Sequence, residues 1–121
     1  MEFTYNAYRD MIVQINFSGG GYCLCNYHNY NSAVNPCILR HDIDLDLEKA
    51  ADFAKMEAEL GVQATYFILV NTNFYNVFSA QNRKLMEKIL SYGHEIGLHF
   101  DEMQYKIQGN WKMLQEKVIE E

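Results

Sequence analysis

Three short runs rich in apolar residues, Cys37 to Asp44, Gln63 to Val70 and His94 to Asp101, alternate with three stretches of helical periodicity, Asp46 to Leu60, Ser79 to Tyr92 and Gln108 to Glu121. Strand, helix, strand, helix, strand, helix is an order that few folds accept. Each helix must return the chain to the end at which the previous strand began, so the strands are parallel and the crossovers right-handed. Units of this length, roughly 30 residues, fit an open sheet and a barrel alike. In both, chemistry gathers at the carboxyl ends of the strands. The reading is therefore an α/β fold of parallel (β/α) units. Three parallel strands leave edges unpaired and a closed barrel needs about eight units, so the sequence predicts part of a larger arrangement, or a chain that self-associates through its strand edges.

Local signals agree. Between Asp46 and Leu60, Leu47, Ala50, Ala51, Ala54 and Ala58 form one small apolar stripe, while Glu48, Lys49, Asp52, Lys55 and Glu59 lie on the wet side; Gly61 ends the helix. Ser79 is the predicted N-cap of the next helix, whose inward positions are Leu85, Met86, Ile89 and Leu90, with Gly93 as its stop. In the last helix Trp111, Leu114 and Val118 share a face. Residues 1–36 read as a separate amino-terminal segment preceding the (β/α) part, 37–121. It begins with a helix capped by Thr4 and running to about Asn16, with Tyr8, Met11, Ile12 and Ile15 on one side. Ser18 and three glycines stop that helix, and a short strand Tyr22 to Cys25 and a polar loop closed by Asn35-Pro36 follow.

Charge narrows the partners. The net charge of -6, from 16 acidic against 10 basic residues, and the lack of a basic cluster argue against nucleic acid. No basic and apolar leader opens the sequence, and the longest apolar stretch, Val62 to Val70, falls far short of the ~20 residues that a membrane span takes. The expectation is a cytoplasmic protein without a membrane partner. Cys23, Cys25 and Cys37 form an odd set without finger spacing, and are read as free buried thiols.

The chemistry-bearing residues sit at two strand ends. In Arg40-His41-Asp42-Ile43-Asp44 the alternation of a strand puts both carboxylates on one face, where a cation or a shared proton must offset their repulsion. His99 and Asp101 stand at the end of the third strand with the same alternation. Arg40 is the electrostatic partner of the acids. Plainer roles stand beside these: Asp44 or Asp42 as a helix cap, His41 packed or hydrogen-bonded in the core, His94 bonded to backbone, and Tyr66, Phe67, Phe74 and Tyr75 in core and loop packing.

The run Arg40 to Asp44, together with Gly93-His94-Glu95-Ile96-Gly97-Leu98-His99, resembles the polysaccharide deacetylase family, also described as NodB-homology or carbohydrate esterase family 4. The resemblance covers Cys37 to about Asp101. The first run is similar to an Asp-x-Asp form of the family's Thr-Phe-Asp-Asp motif, which implies Asp42 as catalytic base and Asp44 as metal ligand. The second matches a motif whose final histidines bind zinc, implying His99 as ligand. Met103 stands where the second of those histidines belongs, and a thioether is a poor ligand for zinc. Asp101 is the leading substitute, with Glu102, His94 or a residue from additional chain as others. The implied fold is the amino-terminal part of a distorted NodB-type (β/α) barrel. The implied activity is removal of acetyl groups from an N- or O-acetylated sugar, or a nucleotide-linked sugar, by a metal-activated water with zinc as cofactor. The alternative is a noncatalytic half-barrel that lacks a complete metal site and associates with another chain.

Overall fold

The computed structural model describes residues 4–17, 21–105 and 109–121. The predicted stop at residues 18–20 and the predicted helix start at Gln108 lie outside them. The first helix, α1 (Tyr5–Phe17), starts as anticipated, with the Ala7 amide donating to Thr4 Oγ1 at 3.1 Å. A short strand β1 (Cys23–Cys25) follows, and the polar loop after it contains a single 3-10 turn at Tyr30–Ser32.

The run anticipated as one strand from Cys37 to Asp44 is two, β2 (Pro36–Ile38) and β3 (Arg40–Ile43), because the chain changes partners at Leu39. Leu39 N donates to Cys25 O at 3.0 Å on one side, while its carbonyl accepts from Thr65 N at 2.9 Å on the other. β2 thus pairs in parallel with β1, and β3 with β4 (Thr65–Leu69). β4 in turn pairs in parallel with β5 (Glu95–His99), giving a three-stranded sheet of order β3-β4-β5 beside the two-stranded one. This is the anticipated α/β arrangement of parallel strands, in two small sheets; the described residues form no closed barrel. The edge of β3 away from β4 has no strand beside it among them.

The crossovers are α2 (Leu47–Glu59) and α3 (Ala80–Ser91). Asp46 caps α2 by accepting from Glu48 N at 2.8 Å, so neither Asp42 nor Asp44 has that role. Ser79 caps α3 through Asn82 N at 3.1 Å. α2 packs closely against α3, and Leu47, Ala50, Ala51 and Ala54 enclose a core with Ala64, Tyr66, Ile68, Val77 and Ile89. In α3, Leu85, Met86 and Ile89 meet this core, whereas Leu90, anticipated inward, is 52% exposed because it lies one position past the packed stripe. Gly93 follows α3 at φ +91°, a left-handed backbone that ends the helix and starts the chain toward β5. α4 (Trp111–Glu120) buries none of its residues, and Trp111 is largely exposed. Of the cysteines, read as buried thiols, only Cys25 is buried; Cys37 is half-buried and Cys23, at the start of β1, is exposed. No described helix is long and apolar enough to cross a membrane.

Candidate functional site

Strand alternation divides β3 between two environments. Arg40 and Asp42 face one side of the sheet, His41 and Ile43 the other. On the first side Arg40 pairs with Asp42 at 2.5 Å, and its guanidinium lies 4.2 Å above the Phe67 ring. Tyr27 packs edge-on against the same ring, with centroids 5.7 Å apart. Phe67 is the register partner of both Asp42 and Gly97, and it lies flat over the glycine. A Cβ at residue 97 would come within 2.7 Å of the ring, so glycine here is a requirement of close approach. Phe67 is thus the floor on which the Arg40–Asp42 pair rests.

Past the strand ends, Asp44 and His99 meet across β4. Asp44 Oδ1 lies 3.1 Å from His99 Nδ1, with the Asp44 side chain 60% exposed and the imidazole 29%. The two atoms are at ion-pair distance but not aligned as a hydrogen bond. Nδ1 is therefore buried without a hydrogen-bond partner among the described residues. Tyr75 fixes this corner: its hydroxyl donates to Ile43 O at 2.6 Å and accepts from Leu69 N at 2.9 Å, tying the end of β3 to the end of β4. Burial, followed by the nearby Asp44 carboxylate, pushes the Tyr75 phenol up, so it stays a neutral donor.

The other anticipated residues lie apart from this pair. Asp101 caps a 3-10 turn at Glu102–Gln104, its Oδ1 accepting from Met103 N at 3.0 Å and its Oδ2 from Gln104 Nε2 at 3.2 Å. Among the described residues no three His, Cys, Asp or Glu side chains converge closely enough to enclose a metal ion. His94 has the structural role: it is buried, its Nδ1 accepting from Ala64 N at 3.0 Å and its Nε2 donating to Ala54 O at 2.8 Å, so both ring nitrogens are used. Met103 is exposed. Tyr66 is core as read, Phe67 is the site floor, Tyr75 is the corner brace, and Phe74 stands out of its loop.

On the opposite side of β3, His41 Nε2 bonds closely to Glu57 Oε1. Glu57 is fully buried in α2, and it also accepts from Tyr8 OH at 2.5 Å and from Tyr66 OH at 2.7 Å. Burial pushes the Glu57 carboxyl up, but the His41, Tyr8 and Tyr66 contacts outweigh it and hold the group below the usual carboxylate range. Desolvation, with the Glu57 charge added, drives both phenols well above theirs. Sequence reasoning missed Glu57. The signal was there: the residue lies three positions after Ala54 and seven after Ala50, on the apolar stripe rather than the wet face.

Both sides open on one cavity of about 770 Å³ along the free edge of β3, lined by Arg40, Asp42 and Asp44 and, from the other side, His41, Phe53 and Tyr66. Lys49 and Asp46 of the α2 amino terminus close one flank. Comparison of the chain with protein-family models, curated proteins and solved structures finds no match.

Proposed function

We propose that the chain carries the amino-terminal part of a NodB-type (β/α) barrel and acts as a metal-dependent deacetylase on an acetylated sugar or nucleotide-linked sugar. The observation that carries this reading is the buried His99 Nδ1, without a hydrogen-bond partner among the described residues, opposite the Asp44 carboxylate at the carboxyl ends of two parallel strands. An imidazole nitrogen and a carboxylate oxygen are donors suited to zinc, and Asp101, two residues beyond His99, would be the third were it released from its contacts with Met103 N and Gln104.

When bound, zinc polarises an acetyl carbonyl and acidifies water. The protein's own part is separate. Asp42, paired with Arg40, takes the proton of the attacking water, and Tyr75 ties the end of β3 to the end of β4.

The absence of a three-donor cluster among the described residues favours a second reading, a half-barrel completed by another polypeptide at its strand edges. Elemental mass spectrometry of the purified chain, with Asp44→Ala and His99→Ala, separates the two. Near-stoichiometric zinc lost in both variants, with acetate released from acetylated sugars, supports the deacetylase. Metal that is absent or indifferent to both changes, in a folded sample, would remove it.

A further inference from the structure

The outer edge of β3 is defined by the backbone groups that face it. Leu39 O accepts from Thr65 N at 2.9 Å, and Ile43 O is linked to Leu69 N through the Tyr75 hydroxyl, so the odd-numbered residues turn their carbonyls toward β4. Alternation along the strand then turns the N–H and C=O groups of Arg40 and Asp42 outward, where no strand lies among the described residues. β1 covers this side only as far as Leu39, whose N–H donates to Cys25 O at 3.0 Å. Past that point the edge runs along the cavity of about 770 Å³, which leaves room beside Arg40, His41 and Asp42. Open backbone of this kind is a template for another strand.

The side chains select among the strands that could pair there. Arg40 and Asp42 are 45% and 41% exposed, carry opposite charges and share one face. A parallel copy of β3 in register would set each charge beside its like. An antiparallel copy makes hydrogen-bonded pairs only where outward-facing residues meet. A two-fold axis at Arg40 or at Asp42 places that residue against itself. Centring on His41 instead sets Arg40 opposite Asp42 of the second copy, twice over. Together with the Arg40–Asp42 pair inside each strand, the four charges then alternate around a square, each cation between two acids. The outward residues of β5, Ile96 and Leu98, are apolar and single out no register.

We propose that β3 pairs antiparallel with β3 of a second copy of this chain, on a two-fold axis at His41. This rests on the half-barrel reading above and gives it a partner, an orientation and a register. The interface is isologous, so the edge is its own complement and the assembly closes as a dimer. Its two three-stranded sheets become continuous across the seam. About four backbone hydrogen bonds form there, and charge sets the register, so the association is weak and sensitive to salt.

Sedimentation equilibrium of the full chain, from about 1 μM to about 1 mM, is expected to show 14.2 kDa units in a monomer–dimer equilibrium that weakens as salt rises. Arg40→Asp makes the edge wholly acidic, and Asp42→Arg makes it wholly basic. Each alone is expected to self-associate at least about tenfold more weakly, and an equimolar mixture of the two to recover the wild-type affinity. Recovery needs both variants folded and facing one another, so it separates edge pairing from damage to the fold. Amide exchange at Arg40 and Asp42 should also slow as concentration rises. Unchanged affinity in either variant, no recovery between folded variants, or rings larger than a dimer, as β3 against β5 would build, each overturn the pairing. So does a folded monomer throughout the range. If that monomer is metal-free, the half-barrel reading survives with a different partner; if it holds near-stoichiometric zinc that Asp44→Ala removes, that reading falls as well.

Discussion

One four-residue strand feeds two polar clusters of opposite character. Toward α1 and α2, His41 joins a network in which each Glu57 oxygen has a hydrogen-bonded partner and the carboxylate is sealed from water. On the open side, Arg40, Asp42 and Asp44 are 45%, 41% and 60% exposed, and His99 Nδ1 has no hydrogen bond among the described residues. A satisfied buried network specifies the fold, because losing any member strands the others. An exposed cluster with an unused donor adds little to stability and is available to a ligand. The difference separates polar residues that hold the chain together from polar residues left open to a ligand.

The sharpest way to break that contrast is Glu57→Ala, which leaves His41, Tyr8 and Tyr66 without their shared acceptor. It is expected to destabilise the chain by about 3–5 kcal/mol in urea unfolding, as when one partner of a buried pair is removed. A loss below about 1 kcal/mol would place the network among ordinary surface contacts. Gly97→Ala comes next: its Cβ meets the Phe67 ring at 2.7 Å, and overpacking of this kind lowers stability by about 1–3 kcal/mol. An alanine variant as stable as the wild type would show that Phe67 swings freely and that the open side has no fixed floor.

The pH dependence of unfolding should carry the signature of the buried side. Glu57 titrates below its unfolded value of about 4.3, so its contribution is present above that pH and is lost as pH falls through the lower folded value. Tyr8 and Tyr66 titrate above theirs, so their contribution is full below about pH 10 and declines as pH rises past it. Urea midpoints across the pH range should therefore fall at both extremes, and the acid-side fall should shrink in Glu57→Gln. The smallest expected effect is on the open side. In metal-free buffer Asp44→Ala and His99→Ala should each move stability by no more than about 0.5 kcal/mol. A large loss of stability in either would mean that the two clusters do not differ as described.

Much of this was legible in the residues. The α/β arrangement with parallel strands, the Ser79 cap, the Gly93 stop, the backbone-bonded role of His94 and the pairing of Arg40 with an acid all follow from periodicity, capping chemistry and strand alternation. The split at Leu39 did not, because an apolar run carries no mark of which neighbour each half will pair with. Nor did the placing of Asp101: a carboxylate just past a strand can as readily cap the next turn as face a ligand, and here Met103 N and Gln104 draw it to the cap. Leu90 shows the same limit in a helix, where one step of about 100° separates the packed stripe from solvent.

By itself the sequence determined the order of elements, the direction of the strands and the two strand ends at which carboxylates and imidazoles collect, since these depend on local periodicity and on the handedness of crossovers. Only the tertiary structure decided which of those groups meet. It set Asp44 against His99 across β4, and it brought Tyr8, from far along the chain, with His41 and Tyr66 onto the one glutamate of the α2 stripe. The reason is physical: a polar side chain's role is set by the partners and the water around it, and those come from other parts of the chain.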